Sequence, residues 1–130
     1  MMYFWVMLGS ALGGARYAIS GLVASQFGPT FPWGTLVVNV TGSFVIGFFF
    51  TFTGPDGRLF AGVEARQFVM TGLCGGYTTF SSFSLQTLNL VRDDEFVLAS
   101  ANVGLSVALC LIAVWAGHAA ASTLNQLKGA

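Results

Sequence analysis

Long apolar stretches follow one another along this chain, with charge gathered almost entirely at their ends. A soluble fold has no use for that pattern. Of the 130 residues, 55% are hydrophobic and only 8% are charged, against about 25% charged in a typical soluble domain. Five Lys/Arg balance five Asp/Glu, too few cations for a phosphate-binding face. The apolar content excludes disorder, and two cysteines exclude a disulfide scaffold. The fold class that remains is an all-α integral membrane protein. A membrane helix takes about 20 residues, so four fit with short connections. The expectation is a single four-helix transmembrane domain over 1–130.

The spans are expected at about 3–25, 33–53, 65–91 and 96–122. The first is unlike a cleavable signal peptide, because no Lys or Arg precedes it and Arg16 interrupts it. Gly28, Pro29 and Pro32 mark the turn after it. The third stretch is too long for one straight crossing and contains Gly75, Gly76, Thr78 and Thr79. Paired glycines and β-branched threonines are poor helix material. A break is expected near 75–79, close to the membrane midplane. Arg92 closes the third helix and Asp93, Asp94 and Glu95 open the fourth, as helix dipoles favour. Arg58, Arg66 and Lys128 fall on the side of both termini and Arg92 on the other, a weak positive-inside bias.

Polar residues recur inside the spans. Thr35, Asn39, Ser43 and Gly47 follow one another four apart, as do Asn102, Ser106 and Cys110. After the break come Ser81, Ser82, Ser84, Gln86 and Thr87. Stripes of small residues serve either helix packing or a polar path. The acids all sit at span ends, so proton-coupled export of cations lacks the buried carboxylate it would use. A passive path for a small ion needs only donors, acceptors and shape. Arg16 admits three roles: a snorkelling side chain, a positive vestibule, or a partner for carbonyls at a helix break. Phe80 and Phe83 lie three apart and share a helical face. They can pack in a core, or turn their positive ring edges towards an anion. Cys74 and Cys110 read as free thiols used in packing, and His118 has no metal-ligand partner at a useful spacing. Trp5, Trp33 and Trp115 lie toward span ends, as interfacial anchors do.

Three segments carry a resemblance: Gly13 to Tyr17 (GGARY), Trp33 to Gly47 (WGTLVVNVTGSFVIG) and Thr71 to Ser84 (TGLCGGYTTFSSFS). In this order and spacing, over nearly the whole chain, they resemble the Fluc/CrcB family of fluoride channels. The resemblance implies an antiparallel, dual-topology homodimer in the bacterial inner membrane. It also implies passive fluoride efflux rather than enzymatic activity. It gives Asn39, Phe80 and Phe83 pore roles and sets Thr79, Ser81 and Ser82 at the break. Asn102, Ser106 and Cys110 fall on its fourth-helix polar track. The carbonyls of Gly75 and Thr78, from both subunits, would hold a central structural sodium ion. Gln86 departs from the family's common glutamate. The competing class is a small multidrug-type proton-coupled exporter, also built of four short helices.

Overall fold

The computed structural model describes residues 1–28, 30–55 and 57–128. Pro29, expected in the first turn, lies outside the described residues, as does Asp56. Every regular element among the described residues is helical. The first apolar stretch forms α1 (Met2–Gly13) and α2 (Arg16–Phe27), and the second forms α3 (Trp33–Phe52). The third is divided among α4 (Val63–Gln67), a π-helical segment (Phe68–Cys74), α5 (Gly75–Tyr77) and α6 (Phe80–Arg92). The fourth is the 33-residue α7 (Phe96–Lys128). Met2–Phe27, Trp33–Phe52 and Phe96–Leu127 are long and apolar enough to cross a membrane.

Two features differ from the sequence expectation and a third narrows it. The first stretch is not one smooth helix. At Gly14 and Ala15 the bonds tighten, with Ala15 N–H donating to Leu12 O (3.1 Å) and Tyr17 N–H to Gly14 O (3.1 Å). Such three-residue closure kinks a helix and sets Arg16 in the first turn of α2. The last helix does not end near 122 but runs on to Lys128. At 1.5 Å per residue it is about 50 Å long, more than the roughly 30 Å hydrocarbon core.

The third feature is the break, which falls at the far end of the expected 75–79. Gly75 is helical (φ −63°, ψ −37°) and Gly76 lies within α5. The chain leaves the helix only at Thr78 (φ −81°, ψ 160°) and Thr79 (φ −153°, ψ 120°). Gly76 serves packing instead of unwinding, as do Gly72 and Gly13. A Cβ on Gly76 would stand 2.6 Å from Ser10 O, and one on Gly72 would stand 2.8 Å from Val6 O. On α1, a Cβ on Gly13 would come within 2.5 Å of Leu73 O. Small residues let these backbones touch, and tertiary contact overrides glycine's poor helix propensity.

α3 packs along α7, α1 along the π-helical segment and α5, α2 on α3, and α6 on α7. The α3–α7 contact is also a backbone approach, since Gly117 lies against Phe44 O and Phe48 N, and Gly47 against Val114. This leaves α3 as the wall against which the broken third stretch is mounted.

Candidate functional site: a groove at the broken helix

Three contacts from α3 hold the break. Thr41 Oγ1 lies 2.8 Å from the Tyr77 hydroxyl, at the end of α5. Gly42 faces Thr78 and the Tyr77 ring, with no room for a Cβ. Asn39 then bonds both backbone groups of Thr79: its Oδ1 accepts from Thr79 N–H (2.7 Å) and its Nδ2 donates to Thr79 O (3.0 Å). In an unbroken helix the Thr79 amide would bond to the Gly75 carbonyl. Here Asn39 takes it. Unwound backbone inside a membrane must find such partners. These bonds also fix the carboxamide's orientation, because an amide can only meet Oδ1 and a carbonyl only Nδ2.

The second half-helix starts from Thr79. Its Oγ1 accepts from Ser82 N–H (3.2 Å), an N-cap that satisfies one of the orphan amides of α6. The Thr79 hydroxyl proton is left to donate; Ser81 Oγ lies 3.3 Å away. On the other side of the break, Thr78 N–H and Oγ1 both donate to Cys74 O, at 2.9 and 3.0 Å.

A cavity of about 400 Å³ opens beside the break. Asn39, Gly75, Thr78, Thr79, Phe80, Phe83, Ser106 and Cys110 line it, so α3, the broken stretch and α7 converge there. Phe80 and Phe83 sit with ring centroids 5.3 Å apart and planes at 57°. Among the described residues, no acidic or basic side chain lines the cavity.

Not every expected residue reaches it. Asn102 is 2% exposed and lies behind the wall. Its Nδ2 donates to Thr87 Oγ1 (2.8 Å), Thr87 Oγ1 donates to Phe83 O (2.8 Å), and Ser106 Oγ is 3.5 Å from Asn102 Oδ1. Asn102 therefore ties α7 to α6 and sets the height of Ser106 against Phe83. Ser81 and Ser82 turn into the N-terminal turn of α6, and Arg16 stands at the α1–α2 kink, outside the cavity lining. Gln86 lines a separate cavity of about 320 Å³ with Thr35, Asn89 and Asp93, and its Oε1 has no partner there. Cys74 and Cys110 are free thiols, and both face the main cavity.

Ser43, Met70 and Cys74 line the cavity without having been singled out as site residues. Ser43 carried a signal, standing one helical turn beyond Asn39. Met70 and Cys74 carried none, because they arrive through the widened turns of the π-helical segment, which no residue pattern announces.

Apolar helices of membrane length, enclosing an uncharged groove of hydroxyls, one carboxamide and two aromatic rings at a helix break, define a small membrane protein of the channel type. Residues 4–118 match the family of CrcB-like proteins, also described as camphor resistance (CrcB). The chain belongs to this family. It is 60% identical over all of its length to the whole of the fluoride-specific ion channel FluC of Methylocella silvestris. A FluC of Opitutus terrae is 62% identical, over 98% of both chains. A FluC of Rhodospirillum rubrum is 58% identical, over 97% of this chain and 98% of its own.

Proposed function

We propose that this protein is a fluoride-selective channel that lets fluoride leave the cell passively, lowering cytoplasmic fluoride. The observation that carries this is the uncharged groove beside the Asn39–Thr79 clamp, read with relatives named fluoride-specific ion channels. A small, strongly hydrated anion must exchange its water for donors along a narrow path. Asn39 spends one Nδ2 hydrogen on Thr79 O and keeps the other. Thr79 and Ser43 offer hydroxyl protons, and the Phe80 and Phe83 rings offer positive edges. None of these groups holds an anion by full charge, so the ion can leave as well as enter. The proton-coupled exporter finds no carboxylate among the described residues that line the groove.

In this reading the broken stretch α4–α6 also crosses the membrane, as the third of four crossings. The functional unit is an antiparallel homodimer of dual topology in the bacterial inner membrane. Phe80, 77% exposed on the single chain, is then covered by the partner. A structural sodium ion sits at the dimer centre, held by the carbonyls of Gly75 and Thr78. The donor set suits it. The helix has released the Thr78 carbonyl into extended backbone, and Asn39 has taken the amide that would pair with Gly75 O. Hard cations favour such oxygens, and two per chain need a second chain to complete a shell.

The test is ion efflux from liposomes containing only the purified protein. Fluoride should pass and chloride should not, with no imposed proton gradient. Equal fluoride and chloride flux would reject the channel reading. Prolonged sodium removal should abolish fluoride flux, while tracer sodium stays put. Full activity without sodium would reject the structural cation.

A further inference from the structure

We propose that His118 and Thr51 form a second anion-binding station at the far end of the groove, and that fluoride passes through it. This rests on the channel reading. Two registers carry the argument. On α3, Thr51 continues the line of Asn39, Ser43 and Gly47, one turn at a time. On α7, His118 continues the line of Ser106, Cys110 and Val114. A second cavity of about 410 Å³ lies between the two continuations, walled by Gly47, Thr51, Val114 and His118. It shares Ile46 and Met70 with the groove at the break, so the two are neighbours along one seam. The path does not end at Cys110.

The station has the right chemistry for a small anion. His118 Nδ1 and Thr51 Oγ1 are 2.7 Å apart, which aims the ring and leaves Nε2 for another partner. A protonated imidazole donates at both nitrogens and carries charge, unlike any group at the break. Asn125 Nδ2 donates to Thr51 O (3.1 Å) and steadies this end of α3. Among the described residues, few other charges face the site. α3 and the π-helical segment contain no Asp, Glu, Lys or Arg; Cys74 of that segment lines the neighbouring cavity. On α4, Arg66 lies 5.2 Å from the centre of the Phe50 ring, donates to Thr53 Oγ1 and reaches Phe50 O, while Glu64 is exposed. In the loop, Arg58 donates from its backbone N–H to Asn125 Oδ1 and from Nη1 to Leu124 O. The charges of the described residues around the site lean positive, so an anion that reaches His118 meets attraction.

Fluoride efflux would be measured from liposomes at one fixed, near-neutral pH. The leak of neutral hydrogen fluoride from protein-free vesicles is subtracted. His118→Gln should conduct more slowly than the native protein by roughly tenfold, the modest end of what a focused charge does to ion entry, and His118→Lys should conduct at least as fast as the native protein. Chloride should remain excluded in all three. A His118→Gln protein with native fluoride flux would overturn the station while leaving the channel intact. A native protein that passes no fluoride would overturn the channel reading itself.

Discussion

Asn39 has more at stake than a donor lining a path, because the Thr79 N–H has no partner other than that carboxamide; the Thr79 carbonyl, at the N-cap of α6, also takes the first bond of that helix. Asn39→Leu keeps the bulk and orphans the Thr79 N–H in the membrane. That orphaned group should cost about 1–3 kcal/mol. The variant should melt well below the native protein in detergent and pass little fluoride; an unchanged melting temperature would show that the clamp is not needed. Phe80 and Phe83 are the contrasting case. Phe80→Ile and Phe83→Ile keep apolar bulk and remove the polarised ring edge. Fluoride flux should fall sharply in both while the melting temperature stays near native. Unchanged flux would make the rings packing residues only.

At the scale of elements, the seam between α1 and the π-helical segment depends on the absence of side chains. Gly9 and Gly13 face Gly72 and Gly76 so closely that added Cβ atoms would meet backbone atoms that cannot rotate away. Gly72→Val should push α1 off the third stretch, cost about 1–3 kcal/mol or more, and lower both expression and melting temperature. Gly21, in α2, has nothing within 4 Å of a would-be Cβ. Gly21→Ala should be neutral or stabilise by up to about 1 kcal/mol. Thermal melting of the pair separates a packing role for the glycines from a general intolerance of change. If both variants melt alike, the seam does not hold α1 in place.

At the scale of the molecule, several groups face outward from the single chain in a way that fits a partner. Gly75 lines the groove and is exposed, and the nearest atom to a Cβ there is Met70 O at 3.9 Å. Within one chain Gly75→Ala is therefore harmless. If a second chain brings its own break against this one, the added methyl groups crowd the shared centre. The dimer fraction by light scattering should then drop, with the helical content unchanged. A variant as dimeric and as active as the native protein would place the subunit contact elsewhere.

The sequence by itself determined the membrane setting, the position of the apolar stretches and the existence of an interruption in the third. Those properties follow from local hydropathy and backbone propensity, which act over a few residues at a time. The stripe Thr35, Asn39, Ser43 and Gly47 was also legible, because helical periodicity puts such residues on one face. Only the tertiary structure decided where the break falls. Within the expected 75–79, backbone contact with Ser10 holds Gly76 in the helix and Asn39 supplies the partner that lets Thr79 leave it. It alone separated Asn102, buried against Thr87, from Ser106, which reaches the cavity with Cys110. It also brought Met70 and Cys74 to the groove through a π-helical turn, and seated His118 against Thr51 across the α3–α7 contact. Each of these is set by the rotation and height of one helix against another, a choice made by contacts between residues far apart in the chain.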